Sequence, residues 1–145
     1  MKALLFITLL SIPVFAVSSQ AVNSSEAMSS PIRSTHVELL PTLEMRMFGE
    51  KNEPVNAVSE GTVDATEKKV GGVKNIIVIR HADNMISIYS NLDNILVKTG
   101  ERVSKESILG YLGSGPNSAL KFEIRKNGVN VDPNDYIMIK NSHKS

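Results

Sequence analysis

From Pro54 to Val131 the apolar residues come in short runs, many alternating with polar ones, and each run is closed by glycine, asparagine or aspartate. That period of two belongs to strands, because successive side chains of an extended backbone point to opposite faces. Pro54–Val58 and Thr62–Thr66 are strand candidates joined at Glu60-Gly61. Asn75–Arg80, NIIVIR, is rich in β-branched residues and too short for an ordinary helix. Met85–Ser90 follows an Ala82-Asp83-Asn84 turn, and Glu67–Gly72 suits a hairpin loop. Between Ile95 and Gly113 the pattern fits two short strand pieces separated by glycine turns. Leu120–Arg125 and Val129–Val131 flank an Asn127-Gly128 tip, and Asp132-Pro133 ends the pairing. Thr42–Phe48 is ambiguous, and Pro133–Met138 suits one short turn. Strands recurring at this spacing predict a single all-β domain, built as antiparallel sheets or a sandwich.

The ends read differently. Residues 1–21, MKALLFITLLSIPVFAVSSQA, combine an early lysine, an apolar run and small residues, the pattern of a cleaved secretory signal. The run is shorter than a bilayer span and is interrupted by Pro13, so no stable membrane span is expected after cleavage. Residues 22–35, six of them Ser or Thr, read as a flexible linker. The domain is expected over 36–139 and a polar tail over 140–145. The protein is expected to be periplasmic or secreted.

Composition removes several functions. Sixteen Lys and Arg against fifteen Asp and Glu leave a net charge of +1, with no basic excess to neutralise nucleic-acid phosphates. With no cysteine there is no disulfide framework, thiolate zinc site or cysteine nucleophile. The three histidines, His36, His81 and His143, make a histidine-rich metal centre hard to build. No G-x-S-x-G elbow places a serine for nucleophilic attack. Asp132 and Asp135 read as turn-capping residues, not a glycosidase pair. Asp83-Asn84 and Asn91–Asn94 lack the spacing of a calcium loop.

In their order and spacing these segments resemble the lysostaphin-type zinc endopeptidase domain, the LytM domain. The likeness rests on PVNAVSEGTV at 54–63, IVIRH at 77–81, IYSNL at 88–92, VKTGERV with ILG at 97–110, and LKFEIRKNG with VDP at 120–133. It implies a peptidoglycan-endopeptidase fold in which zinc is held by H-x-x-x-D and by the second histidine of H-x-H. Further histidines, in H-x-H and Y-x-H-L, manage protons and the oxyanion. Carried over, the Y-x-H-L histidine is Asn91, the H-x-H pair is Ala119 and Lys121, and H-x-x-x-D falls near Thr42 and Arg46. Alanine has no lone pair, and a lysine or arginine opposes a divalent ion. His81 is retained, but at a position the family does not use as a ligand, and reads as a structural histidine. Ser114-Gly115 resembles the glycine-rich loop before H-x-H.

The resemblance therefore implies the fold without catalysis, metal or cofactor. Its degenerate members activate cell-wall amidases. The expected role is regulation of peptidoglycan hydrolysis, through an amidase or peptidoglycan itself bound in a groove made of Asn91, Ala119, Lys121, Arg46 and Ser114. The alternative is a structural adaptor of an envelope or secretion assembly. Biotinyl and lipoyl carrier domains share the glycine–valine layout, but Lys68-Lys69 lacks their flanking signature.

Overall fold

The computed structural model describes residues 27–68, 75–115 and 118–141. Its strands are β1 (Met28–Ser34), β2 (His36–Leu39), β3 (Met45–Phe48), β4 (Pro54–Asn56), β5 (Gly61–Glu67) and β6 (Asn75–Arg80), followed by β7 (Met85–Leu92), β8 (Arg102–Val103), β9 (Ile108–Tyr111), β10 (Ala119–Lys126), β11 (Val129–Val131) and β12 (Ile137–Asn141). One 3-10 turn spans Pro133–Asp135. The Asp132 side chain caps it, accepting the Asn134 amide at 2.9 Å, the turn-capping role its sequence suggested. The all-β class read from the alternation is the class that forms. Among the described residues no helix is long and apolar enough to cross a membrane.

The principal sheet runs β2-β3-β10-β7-β6-β5-β8, with β11 pairing β10 beyond the end of β3. Its ladders are antiparallel. One face carries the core: Met45 and Met47 of β3, Leu120, Phe122 and Ile124 of β10, Tyr89 of β7, Ile77 and Ile79 of β6 and Val63 of β5 are all fully buried. The ring of Tyr89 packs on that of Phe122 at 5.3 Å. Val55 of β4 and Leu109 of β9, from a two-stranded sheet, close the core from the other side. The opposite face of the principal sheet displays the intervening residues, among them Arg46, Phe48, Ser90, Lys121 and Glu123.

Three expectations change. Residues 28–34, read as part of a flexible linker, form β1, which pairs in parallel with β12 and buries Met28 and Ile32. Serine content suggested a linker because serines favour loops, yet here Ser29, Ser30 and Ser34 are buried, and Ser29 and Ser30 donate to backbone carbonyls. Pro31 is accommodated because the register shifts between Ser29 and Arg33. The tail expected from 140 begins later, since β12 runs through Asn141. The ambiguous stretch before Phe48 resolves as β3, its methionines inward and Arg46 and Phe48 outward. The signal segment, the tip of the hairpin at 69–74 and the last four residues lie outside the described residues.

Candidate functional site

Register assembles the site. Lys121 of β10 lies directly opposite Arg46 of β3 on one side and Ser90 of β7 on the other. Two positions along, Ala119 lies opposite Phe48. Residues paired across neighbouring strands share a face, so these side chains emerge together on the open side of the sheet. Asn91 completes the wall. Its backbone has φ of 72°, a left-handed geometry asparagine tolerates better than most residues. Its amide reaches across to donate to the Ala119 carbonyl at 2.5 Å. Arg46, Phe48, Asn91, Ala119 and Lys121 line one depression of about 300 Å³.

Four of the five residues expected at the groove therefore meet there. Ser114 does not: it is exposed in the loop after β9 and does not line the depression. Thr42 is exposed in the β2–β3 turn, its carbonyl accepting from Asn130 at 3.3 Å. Phe48 was not singled out in the sequence, although the alternation Met45–Phe48 already gives it the same face as Arg46. His36 packs its ring against Phe48 at 5.6 Å and lies near Glu38 at 3.3 Å.

The electrostatics are one-sided. Like charges opposite one another on adjacent strands repel, and Arg46 and Lys121 are such a pair. Arg46 has Glu44 at 3.7 Å, a loose contact, and its buried Nε has no hydrogen-bond partner. Among the described residues Lys121 has neither an ion pair nor a side-chain hydrogen bond. As a donor set for zinc, these residues do not fit. Arginine and lysine cations, an alanine methyl and an asparagine amide offer neither an imidazole nor a carboxylate. Among the described residues no three His, Cys, Asp or Glu side chains come together to hold a metal.

A second constellation lies on the other side of the sheet. His81 Nδ1 is 2.6 Å from the Glu60 carbonyl, and Nε2 is 2.7 Å from the Ser87 hydroxyl. Ser87 lies 3.0 Å from the Tyr89 hydroxyl, which accepts the Val58 amide at 3.0 Å. Burial holds the His81 imidazole below its usual pKa, opposed by the bond to Glu60. Burial also pushes the Tyr89 phenol up to about 12, against the lowering effect of its bonds to Ser87 and Val58. Ser87 is fully buried, so this histidine–serine contact is structural and presents no nucleophile.

Residues 44–133 match the family described as Peptidase family M23. The lipoprotein NlpD of Yersinia enterocolitica is 33% identical over 91 residues, which are 61% of this chain and 94% of that protein. The murein hydrolase activator NlpD of Escherichia coli is 32% identical over 91 residues, again 61% of this chain but only 24% of the relative. Among solved structures, Csd3 of Helicobacter pylori superposes with a TM-score of 0.69 at 21% identity, covering 77% of this chain and 33% of that one. The match spans the strands that build the groove, from β3 through β11, and leaves β1, β2 and β12 outside it. With the sheet order and this match in agreement, the chain belongs to peptidase family M23.

Proposed function

We propose that the protein is a non-catalytic member of its family that acts in the cell envelope, regulating peptidoglycan hydrolysis by binding and activating a cell-wall amidase. The observation that carries this reading is the Arg46–Lys121 pair. Two cations face each other across neighbouring strands, at positions that the resemblance assigns to zinc ligands, and among the described residues Lys121 has no ion pair. Such a pair costs the sheet stability unless an external anion joins it. An acidic segment of an amidase supplies that anion. Phe48 and Ala119 add apolar floor beside it. Charged contacts of this kind steer and specify more than they add affinity. The names of the relatives, lipoprotein and murein hydrolase activator, support the same role and location.

Dye-labelled peptidoglycan tests it. The protein alone is expected to release no dye, an amidase alone little, and the two together much more. Lys121→Ala is expected to cut the stimulation on the order of tenfold, equivalent to about 1.4 kcal/mol. Release by the protein alone overturns the non-catalytic reading. Absence of stimulation with a folded sample favours the structural adaptor, and stimulation unaffected by Lys121→Ala moves the contact out of this groove.

A further inference from the structure

The principal sheet ends in two unlike edges. At one end β8 is only two residues long, Arg102–Val103, and offers little to another strand. At the other end stands β2, His36–Leu39, outside the matched family region. Its inner edge pairs with β3, and the turn that joins them fixes which groups point inward. There the Leu40 amide donates to the Glu44 carbonyl at 2.9 Å, in register with the rest of the ladder. Hydrogen-bonded and non-hydrogen-bonded pairs alternate along an antiparallel ladder. His36 and Glu38 therefore bond to β3 as Leu40 does, while Val37 and Leu39 turn their N–H and C=O groups to the open edge. Among the described residues no further strand pairs with that edge.

An open edge is a template for another strand, and natural sheets guard theirs with charges that repel a second copy. β2 is charged, but its charges complement one another. His36 and Glu38 are both exposed, on the face that also carries their β3 partners Phe48 and Arg46. Four two-fold axes pass through a residue of β2 and would pair it antiparallel with a second copy. An axis through His36 offers Val37 only Thr35, whose amide is already given to the Phe48 carbonyl at 2.8 Å. An axis through Glu38 sets that carboxylate against itself, and like charges directly opposite repel. An axis through Leu39 sets Val37 against Pro41, which has no N–H to give. The axis through Val37 avoids all three faults at its centre. The two Val37 residues exchange both backbone bonds, and His36 stands opposite Glu38 on either side. An imidazole N–H donates to a carboxylate in either protonation state, and opposite-charge pairs across strands are favourable.

We propose that β2 is a self-association edge: two copies of the chain join antiparallel through it, centred on Val37, into one continuous sheet. Glu38 then lies between Arg46 of its own chain and His36 of the second copy. The contact is one four-residue strand from each copy, small beside the interfaces of stable complexes, so the dimer is weak and concentration-dependent. Its axis stands perpendicular to the sheet, which keeps the same face of both copies on the same side. Both grooves therefore open in one direction, their Lys121 residues roughly 25 Å apart across five strand spacings.

Sedimentation equilibrium of the purified protein from about 10 μM to about 1 mM tests it, with amide exchange read at both ends of the range. A reversible monomer–dimer equilibrium is expected, with the Val37 amide exchanging roughly fivefold more slowly at the high end. Val37→Pro removes an N–H that faces away from β3, a position where an edge strand tolerates proline. It is expected to raise the dissociation constant at least about tenfold. His36→Glu sets carboxylates against carboxylates at both ends of the contact and should weaken association as much. It decides alone if Val37→Pro does not fold. A chain that stays monomeric to the top of the range overturns the proposal. So does a dimer that survives either folded variant, because it is then built on another surface. Protection of Val37 and Leu39 that appears only when an amidase is added assigns the edge to that partner and overturns self-association.

Discussion

At Gly110 of β9 there is no room for a methyl group. A Cβ built there would lie 2.3 Å from the Asn94 carbonyl oxygen and 3.1 Å from Leu92 Cδ2. The nearer atom is backbone, and Asn94 is tied down in turn, its side chain accepting the Tyr111 amide at 2.9 Å. Gly110→Ala is therefore expected to cost about 1–3 kcal/mol through overpacking. Gly115 is the control, since a Cβ there meets nothing within 4 Å. Gly115→Ala should stay within about 0.5 kcal/mol of the unmodified protein. Urea midpoints of the two variants check both, and equal midpoints would contradict this account of Gly110. The glycine at 110 was legible in the sequence as turn punctuation, but the reason for it was not. Only the fold shows that Asn94 returns beside it. The same limit explains Ser114, expected at the groove because Ser114-Gly115 resembles the glycine-rich loop before H-x-H. A loop's spacing in sequence does not say to which side it turns.

β1 shows what element-level reading misses. Its segment, MSSPIRS, has two apolar residues, a proline and three serines, and nothing in it alternates cleanly. Yet Met28 and Ile32 stand four apart, on one face of an extended chain, and serine is small enough to be buried when its hydroxyl finds a carbonyl. The strands from β4 to β11 were legible because each carries its own apolar alternation and turn signals. β1 draws its order from a partner about a hundred positions away, β12, which a local pattern does not report. A substitution separates strand from linker. Ile32 is 1% exposed, and Ile32→Ala is expected to destabilise by about 2–5 kcal/mol, the usual cost of removing a buried isoleucine side chain. Val129, 65% exposed in β11, should tolerate alanine within about 0.5 kcal/mol. Thermal unfolding of both variants checks this, and an unchanged melting temperature for Ile32→Ala would return residues 28–34 to a linker.

The whole molecule carries a net charge of +1, so its pH response is set by individual sites more than by bulk repulsion. Three shifts define the window. His81 is depressed in the fold, so the unfolded chain takes up a proton first as pH falls below the usual 6.5, and stability declines from there toward the folded value. Glu106 is depressed mainly by its hydrogen bond with Lys140, reinforced by charge attraction to it. Its contribution is lost only further down, as pH falls below the usual 4.5, and it is small because both groups are exposed. Tyr89 is raised to about 12 from the usual 10.0, so the unfolded chain loses a proton first as pH climbs past 10.0. Two pH units correspond to at most about 3 kcal/mol, lost between 10.0 and about 12. The expected profile is thus a plateau between the usual histidine and tyrosine values, with an acid shoulder owed to His81 and an alkaline fall owed to Tyr89. Unfolding free energy measured in urea across pH checks both ends. In Tyr89→Phe the alkaline fall attributable to this phenol should vanish, because no ionisable group remains at the position. An alkaline limb of unchanged depth would show that the buried phenol is not what limits the fold at high pH.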